Sequence, residues 1–141
     1  MSNEKWRQAA HEFLPMFRDN VVAAESVSML WVDLWSEVEG FGDEPLSEDA
    51  ISSLFRYASW CLLSDDEECQ NAAIVGFYEM LPTNARIRNN LHNYLSVEDF
   101  LGLKEIFDYH LSKEEHLRFI EEFLGKANQG KEARAPLEGE A

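Results

Sequence analysis

Apolar residues recur along this chain at the three- and four-residue spacing of a helix face. Stepping about 100° per residue from Val27, the residues Val27, Leu30, Trp31, Leu34, Val38 and Phe41 fall on one stripe. This predicts an amphipathic helix over roughly 22 to 39, ending near Gly40. Ile51, Leu54, Phe55, Ala58, Cys61 and Leu62 form the stripe of the next helix. Leu91, Tyr94 and Leu95, then Phe100, Leu103 and Phe107, then Leu117, Ile120 and Leu124 repeat the pattern. At the start, Trp6, Ala9, Ala10 and Phe13 mark a first helix that Pro15 should end or kink.

Capping residues punctuate these stripes. Ser64-Asp65-Asp66-Glu67 and Ser112-Lys113-Glu114-Glu115 read as capping boxes, in which the serine oxygen accepts the N3 amide hydrogen bond and the glutamate reaches back to the cap. Ser96-Val97-Glu98-Asp99 is a weaker version. Ser47 followed by Glu48 and Asp49 places a cap oxygen and two negative charges at the positive end of a helix dipole. With Thr83 after Pro82 as a further cap, these signals lie roughly 13 to 19 residues apart, a spacing that suits short helices joined by tight turns. The run Ala72-Ala73-Ile74-Val75-Gly76-Phe77-Tyr78 reads as helix because a cap opens it at Ser64 and Pro82 closes it, a length too great for an ordinary strand. Its small residues Ala72, Ala73 and Gly76 would let a neighbouring helix approach, which makes it the expected central helix.

The fold class is therefore all-α: six or seven short helices in consecutive antiparallel hairpins, an irregular bundle or α-solenoid-like stack. Residues 1–125 form one helical domain. Residues 126–141 lose the stripe and read as a disordered C-terminal tail. Cys61 and Cys69 are placed equally far from the turn at 65, within reach of each other if the flanking helices pack antiparallel. They read as two small buried hydrophobes, with no disulfide.

Composition narrows the partners. The 141 residues hold 12 Lys+Arg against 27 Asp+Glu, a formal net charge of -15. Such a charge repels nucleic acid and anionic membrane surfaces and favours basic partners. No apolar run approaches the ~20 residues that span a bilayer, and Met1-Ser2-Asn3-Glu4-Lys5-Trp6 lacks the pattern of a signal peptide. A cytoplasmic location is expected. From Asp33 to Glu68 there are eleven acids against the single base Arg56. This stretch is either a solvated surface that keeps the chain soluble or a docking face for a cationic protein.

Motifs for chemistry are absent. His11, His92, His110 and His116 stand in no HExxH or other ligand spacing, and Asp65-Asp66-Glu67-Glu68 lacks the spacing of a calcium loop. Cys61 and Cys69 fall on apolar stripes, where a thiol stays protonated. There is no GxSxG, Walker A or GxGxxG sequence. The expectation is a non-enzymatic protein without metal or cofactor. Among the aromatics, Trp31 and Trp60 read as core. Trp35 lies at the flank of the Val27 stripe, with Met29 and Val32 on the far side among Glu25, Ser36 and Glu39. The helix is thus either sandwiched between neighbours or presents an apolar centre ringed by acids, the usual build of a specific protein interface.

The segment Asn71-Ala72-Ala73-Ile74-Val75-Gly76-Phe77-Tyr78-Glu79-Met80-Leu81-Pro82, preceded by an acidic turn and an apolar helix, resembles a family of small acidic all-helical bacterial proteins that look like immunity proteins of toxin systems. The resemblance spans roughly Val22 to Leu124, rests on core residues, and departs from the family's Gly-Pro pattern after Pro82. It implies an immunity or inhibitor protein that neutralises a basic toxin domain, such as a nuclease, and carries over no functional residues. The expected partner-binding set is Asp33, Glu37, Glu39, Asp43, Glu44, Glu48 and Asp49 as the electrostatic face, with Trp35 and Phe41 as anchors. The alternatives are a helical scaffold or adaptor in a larger assembly, and a small-molecule binding bundle or hydrolase. The chain is expected to be a monomer, or a homodimer through the widened apolar face that Phe119 and Phe123 give the last helix.

Overall fold

A computed structural model describes the chain over residues 5–40 and 46–140, with side chains described as far as position 128. Among the described residues there are eight α-helices and no strand. The helices are α1 (Lys5–Phe13), α2 (Arg18–Ala23), α3 (Val27–Glu39), α4 (Glu48–Leu62), α5 (Glu67–Gly76), α6 (Ala85–Asn90), α7 (Val97–Phe107) and α8 (Lys113–Glu140). Short 3-10 turns lie at Pro15–Phe17, Tyr78–Thr83, Leu91–Asn93 and Asp108–His110. The all-α class read from the stripes holds, with one helix more than expected.

The helix starts show how local chemistry placed them. Ser47, Ser96 and Ser112 accept the N3 amides of Ala50, Asp99 and Glu115 at 3.1, 3.0 and 3.1 Å, as the capping sequences predict. The helix expected over 22–39 begins instead at Val27, because Ser26 caps it through Met29 N–H at 3.1 Å. Residues before it form the separate α2. Gly40 closes α3 in the left-handed conformation, φ 79°, donating its N–H to Glu37 O. The cap expected at Ser64 moves to Asp66, which accepts Glu68 N–H at 2.9 Å, while Ser64 Oγ accepts Asp66 N–H at 3.1 Å. Likewise Asn84, not Thr83, caps α6; the Thr83 hydroxyl is turned to Met80 O. The long helix expected from Ser64 to Pro82 ends at Gly76 and continues as 3-10 turns.

The chain folds as two compact units, Met1–Tyr78 and Glu79–Ala141. In the first, α5 packs on both α3 and α4, and α1 packs on α4, so the neighbours are not simply consecutive. The centre is aromatic. Trp31, 1% exposed, lies against Tyr57 (ring centroids 5.4 Å, 21°) and Phe77 (5.0 Å). Tyr57 donates its hydroxyl to Trp6 O at 2.9 Å and stacks on Trp60. The small face of α5 does what its composition suggests: a Cβ built on Gly76 would stand 2.6 Å from Trp31 Cβ.

Gly76→Ala is therefore expected to destabilise the protein by about 1–3 kcal/mol through overpacking, even though helix propensity alone favours alanine by ~1 kcal/mol. The clash is with a Cβ, which every residue but glycine carries, so shortening the indole at position 31 does not relieve it. Urea denaturation of the variant measures the sign; a stabilised protein would show that the two helices part at little cost.

In the second unit, Phe100 and Phe107 of α7 meet Phe119 and Phe123 of α8. Phe100 stacks on Phe123 at 3.9 Å and 4°. Arg88 donates from Nε and Nη2 to the Glu122 carboxylate at 3.2 and 2.8 Å and lies 5.0 Å over the Phe119 ring. That hydrogen-bonded pairing holds Glu122 below the usual carboxylate range. The buried face of α8 is Phe119 and Phe123, whereas Leu117 is exposed, so the stripe read on Leu117 is rotated. The two phenylalanines lie inside the fold and supply no surface for a homodimer. Backbone of α8 stays helical beyond 125, across the stretch read as a tail.

Candidate functional site

Helix α3 gives its apolar stripe to the core and turns the opposite face outward. Val27, Leu30, Trp31 and Leu34 are fully buried, while Met29 and Val32 are 49% and 56% exposed. The helix is thus not sandwiched. Met29, Val32 and Ser36 follow one another along the outer face at helical spacing, and Ser36 Oγ donates to Val32 O at 3.2 Å. Asp33, half-buried, and Glu37, exposed, flank this strip on one side, and exposed Glu39 flanks it on the other. Exposed Glu25 stands just before the cap.

Trp35 takes a different place from the one expected of an anchor. It is 7% exposed, its ring edge packs against Phe77 at 6.1 Å and 79°, and its indole N–H donates to Glu39 Oε1 at 2.8 Å. The reason is its angular position: the flank of the stripe is covered by the chain just after α5. Glu39 accordingly fixes an indole as well as contributing charge. Glu48 and Asp49 are exposed in the first turn of α4, where each stabilises the helix dipole by about 0.3–1 kcal/mol, reason enough for acids at that place. Phe41, Asp43 and Glu44 lie outside the described residues. Of the expected face, α3 carries Asp33 next to Val32 and Glu37 and Glu39 one to two turns further along. Exposed Met29 and Val32 give the strip an apolar centre, and their spacing on the far side of the stripe is legible in the sequence.

The other titratable groups have structural roles. Burial pushes the Cys61 thiol up to about 11. Burial, then the neighbouring Cys61 and Asp66, push Cys69 up to about 12. Both cysteines are free and stay protonated at neutral pH. Burial also raises Tyr57. His116 binds Lys104 O through Nε2 at 2.9 Å and faces Asp108 Oδ1 through Nδ1 at 3.3 Å; His110 Nε2 lies 3.5 Å from Glu79 Oε1. These contacts tie the corner between α7 and α8 within the second unit. Among the described residues no three His, Cys, Asp or Glu side chains gather as a metal site. None of the described helices is long and apolar enough to cross a membrane.

Comparison of the chain with protein-family models, with curated proteins and with solved structures gives no match.

Proposed function

We propose that this chain is an inhibitor of the immunity type, which binds a basic protein domain, with a toxin nuclease as the partner class, through the outer face of α3. The observation that carries this reading is the pair of exposed apolar side chains, Met29 and Val32, set on one rigid helix between Asp33 and Glu37 on one side and Glu39 on the other. Apolar groups at the centre of a contact supply area that water leaves on binding, and a charged rim selects the sign of the partner. A cleft built to hold a phosphate backbone is cationic. An acidic face can occupy it, and the long-range attraction raises the association rate. Glu48 and Asp49 add charge at the start of α4.

The test is co-expression with the product of the neighbouring gene, copurification, and a salt titration of affinity. Asp33→Lys with Glu37→Lys is expected to weaken binding about 10- to 100-fold at low salt and to flatten the salt dependence. Because Asp33 is half-buried and Glu37 exposed, urea denaturation of the double variant and of Glu37→Lys alone separates loss of binding from loss of fold. Met29→Ala with Val32→Ala should act on the dissociation rate. The reading fails if the two proteins do not associate, or if affinity is the same at ~0.05 and ~0.5 M salt and charge reversal leaves it unchanged.

A further inference from the structure

A second surface of the first unit, on elements other than α3, holds a cleft of about 360 Å³ lined by Lys5, Trp6, Trp60, Leu63, Asp65 and Cys69, together with Ser64 and Asp66. Its walls are held in place from inside. Tyr57, fully buried, donates its hydroxyl to Trp6 O and lays its ring parallel to Trp60 at 6.1 Å and 9°. Asp66 is committed at both oxygens, Oδ1 to Glu68 N–H and Oδ2 to Cys69 Sγ. Asp65 is exposed and makes no hydrogen bond or ion pair among the described residues. Exposed Glu67 and Glu68 follow on the same turn.

The geometry points to a binding site for the side chain of an arginine from a basic peptide or protein. The volume lies at the low end for ligand pockets, which suits one side chain and its adjoining backbone. Two acids, Asp65 and Asp66, stand against one lysine on the lining, which leaves it net anionic and favours a cation over an anion. Of the two lining indoles Trp6 is 7% exposed and Trp60 half-buried, so Trp60 offers the ring, which favours a planar, weakly hydrated guanidinium over a compact ammonium. Trp6 already accepts such a group: the Arg7 guanidinium carbon lies 4.5 Å over its ring. The free Asp65 carboxylate supplies the charged hydrogen-bond acceptor at the rim. Lys5 competes for the same space and charge. The site stands whether or not α3 docks a partner, because its ligand is defined by the cleft alone.

The probe is N-acetyl-arginine methylamide, titrated into the ¹⁵N-labelled full chain, with N-acetyl-citrulline methylamide as the neutral isostere. The Nε1–H signal of Trp60, and to a smaller extent that of buried Trp6, is expected to shift saturably, with a dissociation constant on the order of 1 mM, while those of Trp31 and Trp35, which do not line the cleft, stay still. Citrulline should bind about 10-fold more weakly or not at all. Asp65→Asn, an exposed substitution that leaves the Asp66 cap intact, should weaken arginine about 3- to 10-fold. Lys5→Gln should tighten it. Equal response to citrulline, tighter binding in Asp65→Asn, or weaker binding in Lys5→Gln would each overturn the assignment, as would shifts spread over all four indoles.

Discussion

Replacing Trp31 with alanine is expected to cost about 3–5 kcal/mol, a large share of the ~5–15 kcal/mol that holds a domain folded. The indole is 1% exposed and lies between Tyr57 and Phe77, on the part of α3 that Gly76 lets α5 approach most closely. The backbone of α5 sits against the Trp31 Cβ itself, so the helices cannot close further to fill the space the ring leaves. A cavity that cannot collapse carries the full penalty. The loss should appear as a lowered urea midpoint with unchanged slope and as faster amide exchange through α3, α4 and α5. Trp31→Phe, which keeps a ring between Tyr57 and Phe77, should recover at least half. A cost below about 1 kcal/mol would mean that the cluster repacks freely, in conflict with close packing at Gly76.

Phe100→Ala is expected to cost a similar amount, about 3–5 kcal/mol, for a different structural reason. Phe100 is fully buried and touches three other phenylalanines: Phe123 in a parallel stack at 3.9 Å, Phe119 edge-on and Phe107 tilted. Such pairs add about 0.5–1.5 kcal/mol beyond the area they bury, and one substitution removes three of them. The exchange rates of amides over α6, α7 and the first turns of α8 should rise, since Phe100 joins α7 to α8. Leu101→Ala, one position along at an exposed residue, is the control and should change stability by no more than about 0.5 kcal/mol. Equal effects at positions 100 and 101 would overturn the assignment of Phe100 to the core.

The acidic face was legible as composition, and the outward strip of Met29 and Val32 as spacing on α3. The role of Trp35 was not. A residue at the edge of a stripe is covered or exposed according to what folds against it, and here Phe77, far along the chain, covers it. The arginine cleft was equally hidden. Trp6, Trp60 and Asp65 share no motif, and only the packing of α1 on α4 and the turn before α5 place them around one space.

Local order could be read from the residues themselves, because a helix closes its hydrogen bonds over four positions and its caps over three. Hence the all-helical class, the starts at Ser47, Ser96 and Ser112, and the stop at Gly40 follow from neighbours in the chain. Where two polar side chains competed for one helix start, as Ser64 with Asp66 and Thr83 with Asn84, spacing alone chose the wrong one by one or two positions. Packing decided the rest: which face of α8 is inward, how close α5 comes to Trp31, and that Phe119 and Phe123 point into the fold. Those outcomes depend on burial, which is a property of residues distant in sequence brought together and of the volume each leaves for the other.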